Sequence, residues 1–346
     1  MRLQTRFGKG LCVLLLATAA ACTNSAQTPP APVAQAPAPP PPAPLPVRIV
    51  DQFNTMFGVH PGFRANHAKG ALFEGTFTPA PTAKSLSKAA HLQKVAVPIT
   101  VRFSNGGGLP DMPDTHPSYR TRGMAVKFQL PNGKFTDIVC ISTNGFPVSN
   151  GEDFLLLLKA IAATTPDSPK PTPIEAFLGS HPAAAKAVAT PQPIPKSYAT
   201  EAFFGVDAFK FTNAAGESQF GRYHLVPEAG EHYLSDEAAA KLPPNFLSDD
   251  VKARLKKGPV KFKLMVQLAK PGDTINDATA VWPDSNPTVK LGTITITKAD
   301  PDSLAAEKKL LFVPTAVTDG IAPSDDPIIP LRAQAYGVSF ARRVNK

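Results

Sequence analysis

Residues 29–46 are mostly proline and alanine, and that stretch decides where a fold can begin. Proline fixes φ and offers no N–H, and alanine has little to bury, so such a run prefers extended polyproline II and cannot pack a core. It reads as a semi-rigid spacer. Folded structure must come from the residues beyond it, and hydrophobic residues at 43% of the 346 suffice for one sizeable core. The chain therefore divides into residues 1–21, a linker over 22–47 and one domain over 48–346.

The first segment has the order of an export signal. Arg2, Arg6 and Lys9 form a basic start, Leu11 to Leu16 an apolar run, and Ala17 to Ala21 a small-residue cleavage zone. The apolar run is too short to stay in a bilayer as a spanning helix. Two outcomes are open. Cleavage after an Ala-x-Ala pattern releases the protein, whereas Ala19-Ala20-Ala21-Cys22 resembles a lipobox, in which Cys22 becomes an acylated anchor. Both place the domain on the periplasmic side. Net charge is +9, and losing residues 1–21 leaves +6. That charge is spread without a dense Lys/Arg block, which argues against nucleic-acid binding.

Beyond the linker, Val50 to Gly58 reads as a short amphipathic helix. Strand-like runs come next at His67–Thr78, Val97–Ser104, Gly123–Leu130 and Phe135–Ile141, the last two joined by the turn Pro131-Asn132-Gly133-Lys134. Phe154–Ala163 and Ile174–Val188 read as helices. Strands return at Ala208–Thr212, Gly221–Val226, Val260–Leu268 and Val289–Thr297. Pro301–Lys309 and Leu331–Arg343 read as closing helices. The expected class is α+β, a single-domain antiparallel barrel or sheet with flanking helices. Cys140 falls inside a strand run and is expected as a buried thiol.

There is no P-loop, no Gly-x-Gly-x-x-Gly, no Gly-x-Ser-x-Gly and no His-Glu-x-x-His. The seven histidines include no pair at helical spacing, so no multi-histidine metal site is written locally. Three patterns remain. In Phe63–Gly70, His67 opens a strand run beside Arg64. In Val101–Ser104, Arg102 and Ser104 share one strand face. Arg332 and Tyr336 lie four apart on a helix, stacked on one side. A guanidinium beside a phenol favours its phenolate, a hard anion suited to Fe(III). Alone, that pair could equally be a solvated helix face.

Together these patterns resemble the haem-dependent catalase family, in particular its small catalase-related peroxidase branch. Arg64–Gly70 resembles the family's Arg-x-x-His-Ala-Lys-Gly, Val101–Ser104 its Val-Arg-Phe-Ser, and Arg122–Phe128 its Arg-Gly-Phe-Ala-Val-Lys-Phe. Val281-Trp282-Pro283, Phe312–Pro323 and Arg332–Tyr336 resemble later family segments in the same order.

The resemblance implies haem b as cofactor, and the absence of Cys-x-x-Cys-His excludes c-type attachment by that motif. It implies Tyr336 as the phenolate on iron, Arg332 as its partner, His67 as distal acid–base group and Ser104 as the group that sets its tautomer. Arg64, Arg102 and Arg343 would hold the haem propionates, and Phe154 would pack on the haem face. The implied function is a catalase-like peroxidase, reducing hydrogen peroxide or an organic hydroperoxide with a small-molecule electron donor, with weak catalase activity left open beside it. One departure bears on this: where the family carries a distal Asn, alignment from Asp137 puts Ile141, with Asn144 beyond. That points to peroxidase turnover rather than dioxygen release. Without the arms of the large catalases, a monomer or dimer without nucleotide is expected. A hydroperoxide isomerase or dehydratase, or a non-enzymatic haem-binding lipoprotein, are the alternatives.

Overall fold

The period-two runs pair into a closed barrel. The computed structural model describes residues 41–116 and 120–345, so the export segment and Cys22 lie outside the described residues. Four strands come first: β1 (Gly70–Pro79), β2 (Val97–Asn105), β3 (Arg122–Gln129) and β4 (Phe135–Ile141). The two-residue β5 (Ile194–Pro195) and β6 (Phe203–Phe204), β7 (Phe209–Thr212), β8 (Ser218–Pro227) and β9 (Tyr233–Leu234) come after them. The chain then forms β10 (Val260–Leu268), β11 (Thr288–Ala299) and β12 (Ile321–Pro323). Ring order is β10–β11–β1–β2–β3–β4–β6–β8, and β8 pairs back to β10 to close eight antiparallel strands. Closure removes the open edges that a flat sheet of this size would present. The β4–β6 seam is the thinnest, a single pairing of Ile141 with Phe204.

Alternation divides the faces of β2. Val97, Ile99, Val101 and Phe103 enter the barrel core, while Arg102 and Ser104 turn to its outer side, where a cavity lies. Phe103 is the hub of that core. Its ring centroid is 5.1 Å from Tyr198, 5.6 Å from Phe73 and 5.9 Å from both Phe203 and Phe262. Rings of this size supply most of the apolar area a small barrel can bury.

Among the described residues, nine α-helices stand around the barrel. They are α1 (Leu45–Phe57), the four-residue α2 (Ala83–Leu86), α3 (Gly151–Ala163), α4 (Pro173–Ser180), α5 (Pro182–Ala189), the short α6 (Asp236–Ala239), α7 (Phe246–Leu255), α8 (Ser303–Lys309) and α9 (Ile328–Val344). Ile49 and Phe53 of α1 pack with Leu155 and Leu158 of α3, and Leu331 of α9 joins them. The segment before α9 is tied to the barrel by Asp137, whose Oδ2 accepts the Val313 N–H at 2.8 Å while Lys127 Nζ holds both its oxygens.

Four expectations change. The linker ends earlier than residue 47, because Leu45, Pro46 and Val47 form the first turn of α1, where proline's missing N–H costs nothing. The strand expected from His67 starts at Gly70. The helix expected over 174–188 is two helices, since Pro182 cannot continue the ladder and holds His181 out of the helical region, at φ −128° and ψ 80°. Helix α7 is absent from the sequence expectation, its polar and apolar residues being poorly segregated by face. Cys140 is buried in β4, as expected.

Candidate active site

The distal side of the site is set by an unusual backbone. His67 has φ +53°, the only non-glycine with positive φ among the described residues, a conformation that costs about 1–3 kcal/mol. Three contacts hold it there. Asn66 Oδ1 accepts the N–H groups of His67 and Gly107 at 2.9 and 2.7 Å. Arg102 Nη2 donates to the His67 carbonyl at 2.9 Å. Ser104 Oγ lies 3.0 Å from His67 Nδ1. Gly123 leaves room for this arrangement, because a Cβ there would stand 2.8 Å from Ser104 Oγ and 3.2 Å from the imidazole. Burial, then the charges of Arg102, Arg332 and Arg64, push the His67 imidazole down to about 3, so it is neutral at ordinary pH.

The opposite side belongs to α9. Arg332 and Tyr336 stack at the i,i+4 spacing, and Arg332 Nε donates to the Tyr336 oxygen at 3.2 Å. The same guanidinium pairs through Nη1 with Asp207 Oδ2 and donates through Nη2 to the Val139 carbonyl at 3.4 Å. Burial alone would lower the Arg332 pKa, but Tyr336 and Asp207 outweigh it and keep the group charged.

A third corner is strongly basic. Arg64 and Arg102 converge on Glu307, with Arg64 Nη1 at 2.9 Å and Arg102 Nε at 2.5 Å from its Oε2. Arg343 donates through Nη2 to the Leu310 carbonyl at 2.6 Å, and Arg64 reaches that same carbonyl at 2.9 Å. Two guanidiniums share one carboxylate, and the third, Arg343, donates to the Lys308 and Leu310 carbonyls beside them. Burial and then repulsion from the other arginines pull Arg64 well below its usual value. Burial, with Arg102 next, brings Arg343 down to about 10.

These corners border one cavity of about 1300 Å³, its mouth included. Every site residue named from the sequence lines it: Arg64, His67, Arg102, Ser104, Phe154, Arg332, Tyr336 and Arg343. Its remaining wall is largely apolar, with Ile49, Val50 and Phe53 from α1, and Ile141 and Phe204 from the thin barrel seam. Phe154 packs on Phe53 and Phe146, with centroids 6.1 and 5.1 Å away. Ile141 is on the lining and Asn144 is not; of the seven histidines, only His67 is. Sequence reasoning misses Glu307 and Asp207. Neither stands in a motif, and their partners lie far along the chain.

An antiparallel eight-stranded barrel with helices on its flank and a cavity between barrel and helices defines a catalase-like fold. Solved structures show the same architecture. A fungal catalase superposes with TM-score 0.74 at 22% identity, over 86% of this chain and 62% of that one. A bacterial catalase gives 0.72 at 23%, over 85% and 59%. The chain thus spans about 60% of the length of these two solved catalases. The sequence profile named Catalase matches residues 61–346, and on that match the chain belongs to the catalase family, whose proteins bind haem. It is 41% identical to a catalase-related peroxidase of Mycolicibacterium paratuberculosis, covering 85% of this chain and 93% of the relative. It is 34% identical to a catalase-related peroxidase of Synechococcus elongatus, covering 86% and 88%.

Proposed function

We propose that the chain holds one haem b between His67 and Tyr336 and acts as a peroxidase on hydrogen peroxide or an organic hydroperoxide. The observation that carries this reading is the charge balance at the basic corner. Arg64, Arg102 and Arg343 against Glu307 leave two positive charges unmatched in a buried place, and a haem edge brings two propionates. The donor set also fits. Among the described residues no three or more His, Cys, Asp or Glu gather for a metal, so an iron held by the Tyr336 phenol would take its other ligands from a porphyrin. Apolar walls suit the macrocycle faces.

Bound haem would supply the electron-transfer chemistry with peroxide, and an external small-molecule donor would restore it. The chain's residues do the rest. Neutral His67 is ready to take a proton from one peroxide oxygen and return it to the other. With Nδ1–H donated to Ser104 Oγ, Nε2 is left as the base. Asp207 anchors Arg332, and Arg332 fixes the Tyr336 oxygen through a charge-assisted hydrogen bond. Ile141 offers no donor or acceptor for a second peroxide, which favours donor-dependent turnover over dioxygen release.

The test uses purified, haem-supplemented protein. A Soret band should form with one haem per chain, and peroxide should be consumed in proportion to an added phenolic donor. Colourless protein, or hydroperoxide turnover that consumes no donor, would refute the reading. The relatives' names lend nothing to the isomerase or storage alternatives.

We further propose an exported protein: a periplasmic domain, acylated at Cys22, present as monomer or dimer. Cys22→Ala in the full-length chain is expected to move the protein from the membrane fraction to the soluble periplasmic fraction. Unchanged fractionation of that variant would exclude the anchor.

A further inference from the structure

Glu307 stands at the junction of two functions. Its Oε2 takes both Arg64 and Arg102, while Oε1 accepts the Ser303 hydroxyl at 3.1 Å, which fixes the carboxylate on α8. From there the contacts run on through a single side chain. Arg102, held at Nε by Glu307, turns its Nη2 to the carbonyls of His67 at 2.9 Å and Ala68 at 3.5 Å. The guanidinium is planar, so fixing one edge aims the other. Gly70 makes the space, since a Cβ there would stand 2.3 Å from Arg102 Nη2. The carbonyl so capped belongs to the one left-handed non-glycine residue described, and its imidazole hangs in the cavity from that backbone.

We propose that Glu307 is a positioning residue for the distal imidazole: it locks the Arg102 guanidinium, and Arg102 holds the His67 backbone in the conformation that presents the ring. This rests on the haem-peroxidase reading and deepens it. Without the carboxylate, Arg102 faces Arg64 and Arg343 uncompensated and swings away from its present plane. His67 then loses one of the contacts that keep it left-handed, and the base drifts from the reacting oxygen.

The experiment compares wild type, Glu307→Ala and Glu307→Gln as haem-loaded proteins. Two quantities are read: the second-order rate constant with hydrogen peroxide by stopped-flow absorbance, and the equilibrium affinity of the ferric protein for cyanide. Cyanide arrives as a weak acid whose proton the distal base must take, so this readout involves no turnover. Glu307→Ala should keep its haem yet react about 10–100-fold more slowly, the scale expected when a catalytic group is displaced by about 1 Å. Its cyanide affinity should fall as well. Glu307→Gln retains an acceptor oxygen for Arg102 and should lie between the alanine variant and wild type on both measures. Wild-type values for Glu307→Ala would overturn the proposal. So would loss of haem from Glu307→Ala together with wild-type behaviour of Glu307→Gln, which would make the carboxylate a stabiliser of the arginine cluster alone. Wild-type protein that takes up no haem would instead remove the parent reading, and this proposal with it.

Discussion

His67→Ala is expected to leave haem bound and to slow the reaction with peroxide by about 10²–10⁴-fold, the usual contribution of a positioned acid–base group. Haem should stay because the phenol, the three arginines and the apolar walls are untouched by loss of the ring. The rate should fall because the described lining contains no second imidazole to replace it. The pH dependence makes the test sharper. A free imidazole gains its proton near pH 6.5, and a base would then fail below that value. His67 is pushed down to about 3, by burial first and then by Arg102, Arg332 and Arg64, so its neutral form persists as pH falls through 6.5. The wild-type rate constant should therefore stay flat from about pH 8 to 5 and decline only toward 3. Folding stability moves in the same direction but in an earlier window. The unfolded chain binds a proton at His67 that the folded chain refuses, so stability is lost as pH drops below about 6.5. A rate that halves near pH 6.5 in protein that is still folded would show a different base at work. A His67→Ala variant as fast as wild type would remove the imidazole from the reaction altogether.

The parts of this site that are legible in the sequence are those written by local spacing. Arg332 and Tyr336 face one way because four residues make about one helical turn, and Arg102 and Ser104 do so because strands alternate. His67 is legible as an identity and not as a conformation. Its motif reads as the start of a strand, and what turns it left-handed is Asn66 beside it together with Arg102, 35 residues away. Glu307 and Asp207 leave no local trace, being 205 and 125 residues from the arginines they pair with. Ion pairs of that kind are made by the barrel closing and by α8 and α9 folding back, events that no window of sequence contains. The α4–α5 break differs in kind. Pro182 is in plain view, but the apolar pattern runs on across it and masks the backbone's refusal to continue.

Tyr336→Phe is expected to give the largest loss of cofactor. It removes one oxygen and leaves the ring, so packing along α9 should survive, and the Arg332–Asp207 ion pair stays in place. What disappears is the oxygen that the proposed reading puts on iron. Outer partners of a metal ligand typically cost about 10–100-fold in metal affinity when removed, and the ligand itself should cost more than that. The order among variants then separates ligand from support. Asp207→Asn keeps the phenol but weakens the hold on Arg332, and should lower haem affinity by about 10–100-fold while shifting the absorbance bands only slightly. Tyr336→Phe should lower it further and change the ferric spectrum, because the phenol oxygen that would hold the iron is gone. Titration of each haem-free variant with hemin, monitored by absorbance, reads both quantities at once. Should Tyr336→Phe take up hemin with wild-type affinity and give the wild-type ferric spectrum, the iron is held by something other than this phenol. The basic corner would then remain as the stronger anchor, since Arg64, Arg102 and Arg343 are untouched by the change.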